Sequence, residues 1–330
     1  MEISLPVENM KSFLRRFYIH KLVYLIRVLP STVRSIVASV RYYQIYLNRK
    51  NLFLNEAPEP ITFNKRNMYC YPKTDWKSAS YVTDHTKNNI ESIIFASAVE
   101  HADIGIDCGA NLAEFLLRVD FTKTKKSLDM VLFEANPKLC RAIEKTISEL
   151  PIQKNCHLEK MGVSDKSYNG EFFVNLFSSG ASSELADQKK LTNDTWGYNQ
   201  SITVKSSFVS LDQYAQTKGL TEKKSWVIKI DVEGSELKVL QGAKQVLSNA
   251  EKMCLIVEFS TESLKNTPDS HFDTLIELFK SCAVYKIVGS DLVVLPDFST
   301  YKSQAECTAN NMDLLFIRNF DEVELESFLQ

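Results

Sequence analysis

The sequence has no run of apolar residues approaching the roughly 18 to 20 that cross a bilayer. Its apolar amino-terminal pieces, Leu22–Ile26 and Ile36–Val40, are broken by Lys21, Arg27, Arg34 and Arg41. Arg27, Pro30 and Arg34 also interrupt the continuous apolar core that a secretory signal needs, so the body is expected to be cytoplasmic. No C-x-x-C pair occurs among the seven cysteines (Cys70, Cys108, Cys140, Cys156, Cys254, Cys282, Cys307), and their odd number argues against a disulfide framework as well as a zinc site. Cys108 and Cys254 sit in apolar stretches, where a reduced thiol acts as a small hydrophobe. The five histidines, His20, His85, His101, His157 and His271, form no constellation. Repeats of 20 to 50 residues and low-complexity tracts are missing too, which excludes solenoids and propellers. With 39 basic and 41 acidic side chains, the overall charge gives no reason to expect nucleic acid as a partner.

What is present is an ordinary globular composition, 44% hydrophobic and 24% charged over 330 residues, which excludes wholesale disorder, collagen and coiled coil. The charge is unevenly distributed. Residues 9–55 hold nine of the 39 basic residues and none of the 41 acidic ones, leaving 30 against 41 elsewhere, a balance of −11. Asn55-Glu56-Ala57-Pro58-Glu59-Pro60 then reads as a linker, so the expected organisation is a basic helical arm with its linker over 1–60 and a globular body over 61–330. In the arm, Phe13, Leu14, Phe17, Tyr18, Leu22, Leu25, Ile26 and Leu29 partly follow i, i+3, i+4 spacing between Arg15, Arg16, Lys21 and Arg27. Such a helix suits peripheral contact with an anionic membrane, while its apolar content equally suits packing on the acidic body or on a second subunit of a homo-oligomer.

Beyond the linker, short apolar runs alternate with helical patterns. Ile104–Asp107, Met130–Phe133, Trp226–Ile230 and Cys254–Phe259 have strand length, and Leu112–Val119, Lys138–Leu150 and Ser235–Leu247 have helical spacing between them, the last with Gly234 or Ser235 as its cap. This alternation predicts a parallel sheet covered by helices on both faces. Phe272–Phe279 reads as a further helix. Val284–Val288 and Leu292–Leu295 flank Gly289-Ser290-Asp291, and with Leu314–Ile317 they predict an antiparallel end to a mixed sheet of about seven strands.

In an open parallel sheet, ligands bind beyond the carboxyl ends of the strands. The first such tip, Asp107-Cys108-Gly109-Ala110-Asn111-Leu112-Ala113, turns from strand to helix, with Gly109 allowing close approach of a ligand. The second and third glycines of a dinucleotide fingerprint are displaced or missing, and Asp107 favours a ligand with a positive centre. At the second tip, Phe133-Glu134-Ala135-Asn136-Pro137, Glu134 lies 25 residues after Gly109, where an acid can accept hydrogen bonds from ribose hydroxyls or cap the next helix. The third, Lys229-Ile230-Asp231-Val232-Glu233-Gly234-Ser235-Glu236, places Lys229, Asp231 and Glu233 on one side if the strand stays extended. Glu258 stands at the fourth tip. The first two tips together point to an adenosine-containing ligand.

The stretch from Ile228 to Ala243 resembles the signature of the FkbM family of S-adenosylmethionine-dependent methyltransferases, and the tips at Asp107–Asn111, Phe133–Pro137 and Gly162-Val163-Ser164-Asp165 are similar to its earlier motifs in the same order. The resemblance spans Ile104 to Phe259. It implies a Rossmann-like class I methyltransferase fold and S-adenosyl-L-methionine as cofactor. It places Asp107, Gly109, Ala110 and Asn111 around the methionine end and ribose, Glu134 with Asn136 at the ribose hydroxyls, Ser164 and Asp165 beside the adenine, and Asp231 next to the transferable methyl. Ala113 departs from the pattern, which usually has glycine at the start of this helix.

The activity so implied is O-methylation, of a hydroxyl on a sugar, glycan or secondary metabolite. Such a transfer relies chiefly on alignment and requires no metal, although acidic side chains also suit Mg or Ca. The acceptor must lose a proton, and Asp231, Glu233 and Glu258 are the candidate general bases. The rival reading is a non-catalytic scaffold of the same fold whose arm docks on a membrane or a biosynthetic complex. An NAD-linked oxidoreductase is disfavoured by the missing glycines.

Overall fold

The computed structural model describes residues 48, 50–83, 89–151, 155–185, 201–259, 269–296 and 312–320. The chain divides into two compact units, residues 1–51 and 52–330. The expected amphipathic arm, with its membrane or subunit contacts, lies outside the described residues apart from helical residues 48 and 50–55. His20, His85 and Cys307 lie outside them as well.

The second unit opens with a hairpin of β1 (Glu59–Phe63) and β2 (Arg66–Cys70), followed by helices α1 (Trp76–Thr83) and α2 (Ile90–Val99). Strands and helices then alternate through β3 (Ile104–Cys108), α3 (Glu114–Arg118), β4 (Asp129–Phe133), α4 (Pro137–Ser148) and β5 (Cys156–Glu159). Next come β6 (Gly162–Val163), β7 (Tyr168–Asn175) and β8 (Ser201–Val209), then α5 (Leu211–Thr217), β9 (Ser225–Ile230), α6 (Glu236–Gln241), α7 (Lys244–Asn249) and β10 (Lys252–Phe259). The end is α8 (Asp269–Phe279), β11 (Ala283–Val288), β12 (Asp291–Val294) and β13 (Met312–Arg318).

The principal sheet has the order β12-β11-β13-β10-β9-β3-β4-β5. Strands β5, β4, β3, β9 and β10 run parallel, and β13 is antiparallel to both β10 and β11. This is the mixed, Rossmann-like sheet expected from the sequence, with eight strands rather than about seven. The β12 edge, expected from the sequence, is joined to β11 through the two-residue turn Gly289-Ser290, where Gly289 takes a φ of 63°. Alternation along each central strand feeds two cores. Trp226, Ile228 and Ile230 of β9 join Leu211, Leu240 and Leu247 on one face, and Val227 joins Ile94, Leu116 and Ile143 on the other. Burying such side chains contributes about 1.5 to 3 kcal/mol each, which makes this double-sided sheet the stable platform behind the strand tips.

Several expectations are refined. Residues 55–61 are in part built into the body: Glu56 pairs with Lys138 at 2.8 Å, and β1 pairs with β2 from Glu59↔Cys70 onward. Helix α3 starts later than Leu112, because Asn111 (φ 49°) and Ala113 (φ 59°) are left-handed and the helical ladder begins only at Glu114. A left-handed alanine costs about 1 to 2 kcal/mol, which explains why glycine is the residue that fits position 113 without strain. The single helix read over Ser235–Leu247 is two, divided at Gly242, where a Cβ would sit 2.3 Å from the Ser164 carbonyl oxygen. A separate three-stranded sheet, ordered β6-β8-β7, was not anticipated.

Candidate functional site

The register of β3 against β9 sets Asp107 directly beside Lys229 and Cys108 beside Ile230. Both strands end there. Gly109 turns with a φ of 79°, and a Cβ on it would lie 1.9 Å from the Asp231 carbonyl oxygen, so no other residue lets the two tips approach this closely. The Gly109 and Ala110 amides donate to the Phe133 carbonyl at 3.0 Å each, fastening the first turn to β4. Ala110 thus acts through its backbone, with its side chain buried.

Lys229 is the electrostatic centre. Its Nζ lies 3.2 Å from Asp107, 3.3 Å from Asp231, and donates to the Gly109 carbonyl at 2.8 Å. Burial opposes its charge, but Asp107, Asp231 and Glu114 outweigh that and hold the ammonium more firmly protonated than an ordinary lysine. The Asp107 oxygens are buried and, among the described residues, accept no hydrogen bond beyond this ion pairing.

At the second tip, Glu134 accepts from the Asn111 amide through Oε2 at 2.8 Å and from the Asn136 amide through Oε1 at 2.7 Å. It therefore ties two tips together rather than only capping α4. The cap is Asn136, whose Oδ1 accepts from the Lys138 amide at 3.0 Å. Burial pushes the Glu134 carboxyl up to about 7, against the stabilising pull of those two amides. Each of its oxygens retains a second lone pair for a ribose hydroxyl. Replacing Glu134 with Ala is expected to weaken S-adenosylmethionine binding by about 1 to 3 kcal/mol, read by titration calorimetry; unchanged affinity would remove it from the site.

The third tip does not stay extended. Strand β9 stops at Ile230, and Glu233 (φ 55°) and Gly234 (φ 100°) reverse the backbone, so Lys229, Asp231 and Glu233 do not form the single extended row expected from the sequence. Neither Gly234 nor Ser235 caps the helix through a side chain. Glu236 instead reaches back to the Gly234 amide at 2.7 Å and the Val232 amide at 3.3 Å. Ser235 donates to Glu184 at 2.6 Å. Burial, reinforced by Asp231, Glu258 and Glu236, pushes the Glu233 carboxyl up to about 9. Glu258 lies opposite Asp313 across β10 and β13, and burial, with Glu91 and Asp231 nearby, raises Asp313 to about 7. Among the described residues, no group of three His, Cys, Asp or Glu side chains is placed to hold a metal ion.

These tips line a cleft of about 560 Å³, counting its open mouth. Gly109, Asn111 and Glu134 form one side, and Asp231, Val232, Glu233 and Ser235 the other. Val163, Phe172 and Phe208 supply an apolar wall from the small sheet. Ser164 and Asp165 do not line it: Ser164 is buried, donating its amide to the Val209 carbonyl at 3.0 Å, and Gly162 and Val163 reach the cleft in their place. Glu258 is likewise absent from the lining.

Other contributors escaped the sequence reading. Asp75 accepts from the Ser179 amide at 2.6 Å, and the Ser179 hydroxyl donates to Asn111 Oδ1 at 3.0 Å, closing the rim. Lys77 stands 3.8 Å from Glu114, which raises its pKa together with Asp231 and Glu258. Glu184 is driven up by burial, yet hydrogen bonds from Lys238, Ser235 and Tyr168 outweigh this and leave it below the usual carboxylate range. The apolar run Phe172-Phe173-Val174 in β7 was the one legible signal for the apolar wall, to which Phe172 contributes.

A doubly covered parallel sheet with an antiparallel β13 between β10 and β11, and a cleft at the carboxyl ends of its central strands, is the class I methyltransferase architecture. The chain belongs to the methyltransferase FkbM domain family, which residues 107–284, more than half of the sequence, match. Among solved structures, a methyltransferase FkbM from Methylobacillus flagellatus KT is 13% identical with a TM-score of 0.40, the match covering 65% of this chain and 43% of that one, under half of its length. A putative O-methyltransferase from Klebsiella pneumoniae is 8% identical with a TM-score of 0.38, covering 71% and 81%. P. horikoshii TYW2, in complex with MeSAdo, is 7% identical with a TM-score of 0.39, covering 80% and 71%. No curated protein matches the chain.

S-adenosyl-L-methionine is accordingly the cofactor against which the cleft is judged, and the residues present fit it. Gly109, Asn111 and Glu134 line the cleft with acceptors in reach of a ribose, and Asp231, also in its lining, offers negative charge to a cationic sulfonium and amino group.

Proposed function

We propose that this protein is an S-adenosylmethionine-dependent O-methyltransferase acting on a hydroxyl of a sugar, glycan or secondary-metabolite acceptor. The observation that carries the reading is Glu233. Its carboxyl lines the cleft beside Asp231 and is raised to about 9 by burial and neighbouring acids. A carboxylate with that proton affinity is a stronger base than an ordinary glutamate, and taking the proton of an alcohol is what O-methylation asks of the protein.

Asp107, Gly109, Asn111 and Glu134 hold and orient the cofactor, with Val163, Phe172 and Phe208 excluding water from its apolar side. S-adenosylmethionine, when bound, supplies an electrophilic methyl group. Lys229 keeps Asp231 oriented through its 3.3 Å ion pair, and Glu233 Oε receives the acceptor's hydroxyl proton. No nucleic acid is invoked as acceptor: a polyanion would face Asp231 and Glu184 at the cleft.

The test is equilibrium binding of radiolabelled S-adenosylmethionine to the full chain, followed by transfer to a panel of methyl glycosides. Saturable binding and label that survives mild alkali, as an ether does and a methyl ester does not, are expected. Absence of cofactor binding would leave the non-catalytic scaffold as the better account. Binding with all label lost to alkali would make the product an ester.

A further inference from the structure

Trp76 and Phe177 stand out among the exposed aromatic side chains. Trp76 is 65% and Phe177 43% exposed, and their rings stack with centroids 6.2 Å apart at 11°. Contiguous apolar surface left in water marks a binding surface, and two stacked aromatic rings make such a patch. This pair is rigid: the Trp76 amide donates to the Phe177 carbonyl at 2.8 Å, and Asn175 Oδ1 accepts from the Phe177 and Ser178 amides at 2.8 and 3.0 Å. Both neighbours in sequence are tied down, Asp75 to Ser179 at 2.6 Å and Lys77 to Glu114 at 3.8 Å.

The stack also adjoins the cleft. Ser179, two residues after Phe177, lines it, as does Gly180. A Cβ on Gly180 would lie 3.6 Å from Asn111 Nδ2 and 3.9 Å from both Glu233 Oε1 and Lys77 Cδ. The rim therefore presents an amide, a carboxyl and an ammonium side chain, and next to them in the chain two parallel, stacked aromatic rings of which Trp76 is the more exposed.

We infer that the outer face of Trp76, backed by the stacked Phe177 ring, is the platform on which a pyranose ring of the acceptor lies, with Asn111, Lys77 and Glu233 reaching its hydroxyls. An aromatic face carries negative quadrupole charge, and the C–H groups on one face of a pyranose carry the complementary partial positive charge. The sugar's hydroxyls point outward around the ring edge, where donors and acceptors are needed. Carboxylates at the cleft disfavour a phosphate-bearing acceptor at this place, so the chemistry selects a neutral, hydroxyl-rich ring.

This inference rests on the sugar-acceptor reading, and one experiment separates them. Methyl glycosides that accept label from S-adenosylmethionine are compared on the wild-type chain, Trp76→Ala and Trp76→Phe, with S-adenosylhomocysteine affinity measured in each. Trp76→Ala is expected to raise KM for the glycoside about tenfold with little change in kcat or in cofactor affinity, and Trp76→Phe to restore most of it. A glycoside KM indifferent to Trp76→Ala would overturn the platform and leave the sugar acceptor standing. If no glycoside is methylated by the wild type while a phenol or nucleoside is, the sugar reading fails and the platform fails with it. Trp76 is largely exposed, so its loss leaves the fold in place.

Discussion

Replacing Lys229 with Met is expected to lower the free energy of unfolding by about 3 to 5 kcal/mol, the range for removing one partner of a buried ion pair. The side chain is buried between Asp107 and Asp231, at 3.2 and 3.3 Å, and also satisfies the Gly109 carbonyl at 2.8 Å. Methionine matches its length and packs against Phe115, over whose ring the ammonium sits at 5.2 Å, so the loss is one of charge rather than volume. Two acids would remain around an apolar side chain, and one of them would have to take up a proton. Urea denaturation at neutral pH measures the effect. Adding Asp107→Asn to Lys229→Met is expected to recover part of it, because the uncompensated carboxylate is then gone; equal stability of Lys229→Met and wild type would mean that Lys229 contributes no net pairing energy.

The second large effect concerns turnover. Glu233→Gln is expected to reduce the single-turnover rate by about 10²- to 10⁴-fold while retaining the cofactor, the range for loss of a general base. The wild-type rate should climb with pH and level off above about 9, where the Glu233 carboxyl has lost its proton, and the variant should be flat over the same interval. Stability moves the other way. A carboxyl raised from 4.5 to about 9 contributes stability that is fully present below 4.5 and is lost as pH rises toward 9, since only the unfolded chain readily ionises it. The melting temperature of Glu233→Gln should therefore exceed that of the wild type increasingly over this window. A variant that retains both the rate and its pH limb would transfer the role of base to Asp231.

Glu258 illustrates how far a strand tip can mislead. It follows an apolar run just as Asp231 does, yet β10 is followed in the sheet by the antiparallel β13, so Glu258 faces Asp313 across a strand pair and does not line the cleft. Ser164 is a similar case. Its segment reaches the site, but alternation points Val163 at the cleft wall and leaves Ser164 buried, its hydroxyl 3.4 Å from Asp165 and Glu184. Asp75, Ser179 and Phe177 were not legible, because they come from segments of no distinctive pattern that meet only through contacts up to 104 residues apart.

The amino-acid sequence by itself determined the parallel sheet, its antiparallel edge and the strand tips at which chemistry collects. Apolar runs of strand length, helical periodicity and the Gly109 and Gly234 turns are local properties, and burial of both sheet faces follows from them. Only the tertiary structure decided how the charges at those tips are used. The register of β3 against β9 sets Asp107 beside Lys229, the left-handed backbone at Glu233 turns its carboxyl into an environment that raises it to about 9, and the small sheet closes the wall. A proton affinity depends on the solvent and charges around a group, and beside the local Asp231 and Glu236 those arrive from Glu258 of β10 and Lys77 of α1, parts of the chain that no local pattern brings together.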